Sequence, residues 1–380
     1  MRIMISCGEA SGDLYAGALA AEIRSREPAA ELFGFGGPRL RAAGARLVGD
    51  FTRFSVTGLT EALRVIPRSL AMIRRLVDAA RDQRPDVFVA IDFPDFNFRL
   101  VRALDRLGIP VVYYVSPQLW AWRSGRMQTM QRHVTKVLVI FPFEEAIYRT
   151  ARVDATFVGH PLVDLARAGQ PRSSFLRDRG LVPDAPTVAL LPGSRRNELE
   201  RIVPVMVEAL PLIRARVPDV QFTVACAPNL PDVQFAPLMR EDRLVLVHDR
   251  SDDVIASSDV AVTASGTATV QCALHERPMV VVYRLSPLTY HLGKPFVKVN
   301  TYAMPNLVAG RTIVPELIQD GLTPARVAEE TVSFLTDRQR HAQTREALRR
   351  VREQLGTPGA SARAAEAIIQ IAALARRSAS

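Results

Sequence analysis

The sequence contains few cysteines, few tryptophans and almost no lysine. Its three cysteines in 380 residues, Cys7, Cys226 and Cys272, lie far apart and match neither a disulfide framework nor the spacing of metal ligands. No apolar run reaches the roughly 20 residues that a membrane-spanning helix needs. The first residues lead straight into a strand pattern rather than a signal peptide. These absences predict a cytosolic protein whose cysteines are small buried residues.

Positive charge is carried almost entirely by arginine. Lys and Arg number 49 against 39 Asp and Glu, which gives a net charge of +10, and lysine occurs only at Lys136, Lys294 and Lys298. This excess reflects either a compositional bias or an anionic partner, meaning phosphates or an acidic membrane surface. No basic run interleaved with aromatic residues is present, and no known reader motif occurs, so we expect no nucleic-acid partner.

Continuous apolar runs alternate with stretches of helical periodicity along most of the chain. This length favours two domains of roughly 150–200 residues each. The alternation begins afresh near residue 187, after a polar stretch at 168–174. We therefore predict an α/β protein with Rossmann-like domains at 1–167 and 187–355, joined by a linker at 168–186. The predicted strands are 2–6, 31–36, 45–48, 86–91, 111–115, 137–141, 155–158, 187–191, 221–225, 244–247, 260–264 and 279–283.

Two turns of the second domain have the character of anion sites. Each follows a strand and opens a helix, so its backbone N–H groups lie at the carboxyl end of a strand and can wrap a diphosphate. The residues concerned are Gly193, Ser194, Arg195, Ser265, Gly266 and Thr267. The alternatives are an ordinary turn with a solvated arginine and, for Ser265, a helix N-cap. Two such turns in one domain favour phosphate binding.

Acidic residues lie at two strand ends of the first domain. Glu9 and Asp13 follow the first strand in a loop that lacks the Gly-x-Gly-x-x-Gly spacing. They either orient sugar hydroxyls or, for Asp13, cap the helix. Asp92 ends the strand at 86–91, where a carboxylate is placed for chemistry, whereas Asp95 after Pro94 is predicted to cap the next helix. Three positions separate these two acids, unlike the Asp-x-Asp of metal-dependent sugar transferases, so we expect no metal.

Further features have two interpretations each. The amphipathic stretch at 60–81 carries an apolar face, with arginines elsewhere. That face comprises Ile66, Leu70, Ile73 and Val77, and it is widened by Leu63, Met72 and Leu76. It either packs on its own sheet or lies in a membrane interface. The two tryptophans fall within three residues of each other at a strand end and are either filler under a loop or part of a binding surface. His160 either contacts a nucleotide or caps a turn.

Six motifs together resemble the lipid-A-disaccharide synthase family, in that family's order from residue 8 to residue 310. They are GEASGD at 8–13, DFPDFN at 92–97, YVSPQLWAWR at 114–123, LPGSR at 191–195, ASGTA at 264–268 and PNLVAG at 305–310. The resemblance implies an inverting, metal-independent glycosyltransferase without a cofactor. It also implies the GT-B architecture, in which two Rossmann-like domains face each other across a cleft and a C-terminal helix, here 356–380, often packs back on the first domain.

The resemblance implies a reaction and roles for residues. A 2,3-diacylglucosamine unit would pass from UDP to 2,3-diacylglucosamine 1-phosphate, giving a β(1→6)-linked disaccharide and UDP in lipid A biosynthesis. Asp92 would be the general base on the 6-hydroxyl, with Glu9 and Asn306 in the active site. The anion-type turns would bind the diphosphate. Many family members have Glu where this chain has Gln271, a position that commonly binds ribose, so we expect weaker or differently organised ribose binding without loss of activity.

Because the implied substrates are acylated, the resemblance favours the interpretation in which residues 60–81 lie in a membrane interface. We expect a peripheral protein on an anionic membrane surface, at the cytoplasmic face of the inner membrane, and leave a homodimer open. The predicted acceptor or lipid surface comprises Arg74, Arg75, Trp120, Trp122 and Arg123. Two alternative functions remain, a UDP-sugar 2-epimerase or other GT-B enzyme of UDP-sugars, and a non-catalytic lipid-binding relative.

Overall fold

Strands and helices alternate along the chain in a computed structural model that describes residues 1–54, 59–117, 119, 124–228, 230–285 and 301–379. The strands are β1 (Arg2–Ser6), β2 (Glu31–Gly36), β3 (Arg46–Asp50), β4 (Val87–Ile91), β5 (Val111–Tyr114), β6 (Lys136–Val139), β7 (Ala155–Phe157), β8 (Thr187–Leu191), β9 (Gln221–Cys226), β10 (Leu244–His248), β11 (Val260–Ala264), β12 (Met279–Tyr283) and β13 (Glu316–Ile318). The α-helices are α1 (Ala10–Arg26), α2 (Pro38–Ala42), α3 (Leu59–Gln83), α4 (Pro94–Asp105), α5 (Met127–His133), α6 (Pro142–Thr150), α7 (Leu162–Leu165), α8 (Arg172–Arg177), α9 (Arg196–Arg216), α10 (Ser251–Ala256), α11 (Thr267–Leu274), α12 (Met304–Ala309), α13 (Pro324–Thr336), α14 (Arg338–Gln354) and α15 (Ala360–Ala379). Every predicted strand is confirmed.

The first sheet is parallel and has the strand order β3-β2-β1-β4-β5-β6-β7. Its central strands are apolar throughout because helices cover both faces; all five residues of β4 are buried, for example. β1 pairs with β2 on one side and with β4 on the other. The strand order therefore reverses between β1 and β4, and in open parallel sheets the ligand crevice lies at such a reversal, outside the carboxyl ends of the strands.

The second sheet repeats this arrangement with the order β10-β9-β8-β11-β12-β13. Here β8 pairs with β9 and β11, so the order reverses between β8 and β11. Helices α9 and α13 pack together over the sheet, with Ile202, Met206 and Val332 in the core. The two turns that the sequence singled out, at 192–195 and 265–267, follow the two strands at the reversal.

The described contacts divide the chain into two compact units, one of Met1–Pro161 with Leu355–Ser380 and the other of Leu162–Gln354. In the first unit α15 packs on α1. Two hydrogen bonds fix the return of the chain to this unit. Arg363 Nε donates to the Val158 carbonyl at 2.8 Å, and His160 N donates to the Leu355 carbonyl at 2.8 Å.

Helix α3 packs on its sheet with most of the apolar face that the sequence predicted. Met72, Ile73, Leu76 and Ala80 are buried in the core of the first unit. Leu70, which we placed on the buried face, is 39% exposed. The interior face is therefore centred near Met72 and Leu76, and the core interpretation is correct for this half of the helix, while Leu70 is left at the surface.

Candidate active site

The loops after β1 and β4 pack tightly against each other at the reversal point of the first sheet. Gly8 follows β1, and a Cβ atom placed there would lie 2.2 Å from ring carbons of Phe93, which follows β4. Any side chain at position 8 would therefore clash with the Phe93 ring in its present position. This close approach explains why a glycine stands at the start of the GEASGD motif.

Asp92 sits at the end of β4 in a strained backbone conformation. Its φ is +46° and that of Phe93 is +50°, a left-handed region that residues other than glycine rarely adopt. The Asp92 carbonyl accepts hydrogen bonds from Asn97 Nδ2 and from the Tyr113 hydroxyl, both at 2.8 Å. Asn97 is fully buried and also accepts from Ser6 Oγ at 2.7 Å. This network holds the backbone of Asp92, and thereby its carboxylate, at the sheet edge.

Burial and the negative charge of Asp92 raise the pKa of the Tyr113 hydroxyl well above its ordinary value. The phenol therefore keeps its proton and remains a hydrogen-bond donor to the Asp92 carbonyl. Because donor and acceptor are both fixed, the strained turn does not depend on solvent for its hydrogen bonds.

The two acids after β1 have different environments. Glu9 is the N-cap residue of α1 and is partly buried. Asp13 is 2% exposed and accepts from the backbone N–H groups of Gly37, Arg39 and Leu40 at 2.8, 2.9 and 3.1 Å. Asp13 therefore caps α2, a helix that begins 25 residues later than Asp13, and neither caps its own helix nor faces a ligand.

Asp95 and His160 occupy structural positions. Asp95 lies in the first turn of α4, its side chain is 79% exposed, and it pairs with Arg126. His160 is 1% exposed, and its ring contacts the rings of Tyr15 and Phe141. Burial lowers the pKa of His160 to about 3, so its imidazole is neutral at physiological pH. His160 is therefore a core residue. The structure supports neither of the two roles considered for it, contact with a nucleotide and capping of a turn.

The turn after β8 is capped from within its own helix. Glu198 Oε2 accepts from the backbone N–H groups of Ser194 and Arg195 at 3.0 and 3.3 Å, and Arg195 Nη1 lies 3.3 Å from Glu198 Oε1. This is the capping-box geometry. Two main-chain donors of this turn thus already face a carboxylate. The Arg195 side chain is 53% exposed and forms an ion pair with Glu198, and its guanidinium is the cationic group that this turn offers to an anion.

The turn after β11 is open. Gly266 has a φ of +147°, and a Cβ atom there would meet no atom within 4 Å. It is the N-cap of α11, so Ser265 precedes the N-cap and is not itself the cap. Ser265 and Thr267 flank the exposed glycine and are partly buried. The first turn of this helix presents main-chain N–H groups to the space in front of Gly266, which is suited to a phosphate.

Gln271, one turn further along α11, is directed at α10. Its Nε2 donates to Ser251 Oγ at 3.3 Å and to Asp252 Oδ1 at 3.1 Å. The same Asp252 oxygen lies 3.0 Å from His275 Nε2. No sequence pattern singles out Asp252, because it meets Gln271 only through the packing of α10 against α11.

Asn306 is buried, with 1% of its surface exposed, and its amide is fully used. Oδ1 accepts from the N–H groups of Ile313 and Val314 at 2.7 and 3.0 Å. Nδ2 donates to the Val314 carbonyl at 2.9 Å and to Glu316 Oε1 at 2.7 Å. The side chain therefore ties α12 to the segment that leads into β13.

Replacing Asn306 by Ala should destabilise the second unit strongly. Four polar groups would lose a partner, two of them buried and two partly buried. Because each unsatisfied buried group costs about 1–3 kcal/mol, we expect a loss of about 3 kcal/mol. Urea denaturation followed by circular dichroism measures it. Asn197→Ala is the matched control, because Asn197 is exposed on α9. Equal denaturation midpoints for the two variants would contradict the role of Asn306 as a positioning residue.

Part of the predicted acceptor or lipid surface lies outside the described residues, namely Trp120, Trp122 and Arg123. Arg74 and Arg75 are described, and both are exposed on α3. Beside them a cavity of about 490 Å³ opens between α3 and the edge strand β3. Its lining includes three arginines and an apolar floor, made by Arg41, Arg68, Arg75, Leu47, Val48 and Met72.

Within the described ranges, no group of three or more His, Cys, Asp and Glu side chains is placed to hold a metal ion. In the same ranges, no helix combines the length and the apolar character that crossing a membrane requires.

Comparison with known proteins supplies the family. The sequence model of a family described as lipid-A-disaccharide synthetase matches residues 3–372. A lipid-A-disaccharide synthase from Myxococcus xanthus (strain DK1622) is 43% identical over 372 residues, which is 97% of this chain and 97% of that protein. One from Anaeromyxobacter dehalogenans (strain 2CP-C) is 44% identical over 373 residues, again 97% of each.

Solved structures show the fold. A UDP-GlcNAc 2-epimerase from Neisseria meningitidis, bound to UDP-GlcNAc, has a TM-score of 0.68 at 11% identity and covers 97% of this chain and 100% of its own. A calicheamicin glycosyltransferase has a TM-score of 0.63 at 19% identity, with 97% and 98% covered. These likenesses confirm the α/β prediction with two parallel sheets in a GT-B type fold. The match of the family model over residues 3–372 and the relatives at 43–44% identity show that this chain belongs to the lipid-A-disaccharide synthase family.

Proposed function

We propose that this chain transfers a 2,3-diacylglucosamine unit from UDP to the 6-hydroxyl of 2,3-diacylglucosamine 1-phosphate, with inversion at the anomeric carbon. The products are the β(1→6)-linked lipid A disaccharide 1-phosphate and UDP. The observation that carries the proposal is the fixed carboxylate of Asp92 at the reversal point of the first sheet, in a chain of this family.

The acceptor half of the reaction is assigned to Asp92. As the 6-oxygen attacks the anomeric carbon of the donor, its proton passes to the Asp92 carboxylate, and the bond from that carbon to the UDP oxygen breaks. A single displacement of this kind inverts the configuration and needs one general base. The strained turn supports this role, because the hydrogen bonds from Asn97 and Tyr113 to its carbonyl hold the backbone of Asp92 at the carboxyl end of β4. Glu9 is proposed to orient acceptor hydroxyls from the end of the neighbouring strand.

The donor half is assigned to the second unit. The leaving UDP takes the electron pair of the broken bond, so negative charge grows on its diphosphate. Arg195 and the first turn of α11 behind Gly266 stabilise that charge without a cation. Ser265 and Thr267 add hydroxyl donors at the same turn. Gly193 and Ser194 shape the turn that presents Arg195, and Asn306 acts as a positioning residue rather than by touching substrate.

Disaccharide formation with chelator present tests the proposal. We expect the native chain to convert UDP-2,3-diacylglucosamine and 2,3-diacylglucosamine 1-phosphate to disaccharide and to release UDP only when the acceptor is present. Release of UDP without the acceptor would replace the proposal by an epimerase or a hydrolase. Binding of the acylated sugars without turnover would replace it by the non-catalytic relative.

We further propose that the protein attaches peripherally to an anionic membrane surface, at the cytoplasmic face of the inner membrane. Two features of the first unit support this. The outer face of α3 presents Leu70 beside Arg74. The neighbouring cavity is lined by three arginines, of which Arg41 is neutralised by Asp50 at 2.7 Å. An apolar strip bordered by guanidinium groups suits an interface of lipid phosphates and acyl chains.

Removing Arg74 and Arg75 together should weaken vesicle binding. Each basic residue at an anionic surface contributes about 1 kcal/mol, so Arg74→Ala with Arg75→Ala should lower the partition coefficient roughly thirtyfold. Co-sedimentation with phosphatidylglycerol vesicles at low salt measures this. Arg216→Ala with Arg240→Ala removes the same charge from exposed positions of the second unit and should change binding little. Vesicle binding that changes neither with the content of anionic lipid nor with the salt concentration would contradict the proposal.

A further inference from the structure

The chain leaves β5 through a strained turn that contacts Asp92. Val115 directly follows β5 and has a φ of +57°, a left-handed value that a β-branched residue very rarely adopts. Asp92 and Phe93 lie in the same region of φ at the end of the neighbouring strand β4. Strain of this kind persists only where the surrounding structure enforces it, and it clusters at functional sites. Other groups of the first unit must therefore hold the turn after β5.

This turn is hydrogen-bonded to the backbone of Asp92. The Asp92 N–H donates between two carbonyls, at 3.3 Å to the Val115 oxygen and 3.4 Å to the Tyr114 oxygen. The carbonyl of Asp92 is held separately by Asn97 and Tyr113. A shift of the turn after β5 would therefore move the acceptors of the Asp92 N–H and reorient the residue that carries the carboxylate.

Two buried side chains of α6 contact the segment that follows Val115. Glu144 and Tyr148 lie four residues apart on the same face of the helix and are 1% and 0% exposed. Ser116 Oγ donates to Glu144 Oε1 at 3.4 Å, and the Tyr148 hydroxyl donates to the Pro117 carbonyl at 3.2 Å. Burial raises the pKa of Tyr148 above its ordinary value, so the phenol keeps its proton and remains a donor.

The geometry points to Glu144 as a positioning residue for the transfer reaction. We propose that Glu144, through Ser116, fixes the turn after β5 and thereby the orientation of Asp92. The second carboxylate oxygen, Oε2, accepts from Phe141 N at 3.3 Å, so one side chain joins the start of α6 to the turn. Because it is buried, Glu144 acts through Asp92 and does not touch substrate. The inference rests on the proposed function, since it takes Asp92 as the general base.

A rival interpretation makes Glu144 only a helix cap. The bond from Phe141 N has the spacing of a capping box, and a negative charge is favourable in the first turn of a helix. This interpretation predicts that loss of the Ser116 hydroxyl has the same effect whatever group stands at position 92. Positioning of the base predicts a loss in kcat that requires the carboxylate of Asp92.

Kinetics of Ser116→Ala in two backgrounds, native and Asp92→Asn, separate the two interpretations. The substitution removes the donor to Glu144 Oε1 and leaves the cap at Oε2 in place. We expect kcat for disaccharide formation to fall about tenfold to a hundredfold, the cost of a small misplacement of a catalytic group, with KM values within about threefold of native. In the Asp92→Asn background the same substitution should change kcat less than about threefold, because residues that act as a unit are not additive.

Two further variants complete the experiment. Glu144→Gln keeps the shape of the side chain but offers one oxygen to two donors, Phe141 N and Ser116 Oγ, so kcat should fall in the same way. Thr135→Ala is the matched control. Thr135 Oγ1 accepts from Val111 N at 3.1 Å at the opposite end of β5, so its loss should leave kcat within a few-fold of native.

An unchanged kcat of Ser116→Ala or of Glu144→Gln would overturn the inference and leave the glycosyltransferase proposal intact. The same follows if Ser116→Ala lowers kcat by equal factors in both backgrounds, or if Thr135→Ala lowers it as much as Ser116→Ala does. Full activity of Asp92→Asn would remove the base and this inference with it. A native chain that forms no disaccharide would instead overturn the proposed function itself.

Discussion

Asp92→Asn should lower the rate of disaccharide formation by at least about a hundredfold, the usual lower range for loss of a general base. The loss should appear in kcat, because an amide cannot take the proton of the 6-hydroxyl, while the KM values of both substrates should change little. Initial rates in detergent micelles with chelator present measure both constants. This is among the largest effects that we expect from a single atom-for-atom change in the molecule.

The choice of asparagine follows from the backbone. Asp92 has a φ of +46°, and asparagine is among the few residues that adopt this region readily. The hydrogen bonds from Asn97 and Tyr113 go to the carbonyl of residue 92, so they survive the substitution. Unchanged thermal unfolding is therefore expected. Alanine would add backbone strain and confuse a loss of chemistry with a loss of structure.

Asp95→Asn is the matched control. Asp95 lies three residues further along the chain, but it is exposed at the start of α4 and pairs with Arg126. Loss of an exposed ion pair is worth about 1 kcal/mol or less, so activity should stay within a few-fold of the native rate. Full activity of Asp92→Asn would refute the assignment of the base and direct attention to Glu9.

The position of each strand from β1 to β12 could be predicted from the sequence because the signal is local: each of these strands is a continuous apolar run. The order of the strands in each sheet and its reversal points depend on pairing between segments far apart in the chain, and the sequence analysis did not predict them. The strand β13 was missed because its three residues, Glu316–Ile318, are too few to show a period. Leu70 was wrongly placed on the buried face of α3, since a broad apolar stripe does not define which of its residues point inward.

The sequence analysis did not predict several partners of the site residues, because these contacts join segments that lie far apart in the chain. Asp13 caps a helix that begins at Pro38, and Asp252 meets Gln271 from another helix, so no spacing along the chain reveals either contact. Glu198 is different. It stands three residues after the N-cap Arg195, which is the spacing of a capping box, and could have been recognised. The expectation that main-chain donors of this turn all face a phosphate needed that correction.

The second large effect on kcat is expected when Arg195 is replaced. With two amides of its turn facing Glu198, the guanidinium is the group at this turn that can follow the charge developing on the departing UDP. Arg195→Ala should therefore lower kcat about a hundredfold to a thousandfold, the range seen when one preorganised donor to a developing anion is removed. Arg195→Lys should retain only part of the kcat that Arg195→Ala loses, because an ammonium group lacks the planar fork of a guanidinium.

Arg196→Ala controls for charge and position. Arg196 is the next residue, is exposed, and pairs with Glu200 on the helix surface at 2.8 Å. It should leave kcat within a few-fold of native. If both alanine variants were equally active, Arg195 would be a solvated surface residue and the turn after β11 would have to stabilise the leaving group by itself.

The affinities of donor and product distinguish binding from catalysis at Arg195. Free UDP carries more negative charge on its terminal phosphate than the same phosphate carries in the donor, where it is esterified to the sugar. An arginine that stabilises the leaving charge must therefore contribute more to UDP than to UDP-2,3-diacylglucosamine. Arg195→Ala should raise the inhibition constant of UDP by more than it raises the KM of the donor. Equal increases would mean that Arg195 binds the nucleotide uniformly, and the fall in kcat would then need another cause.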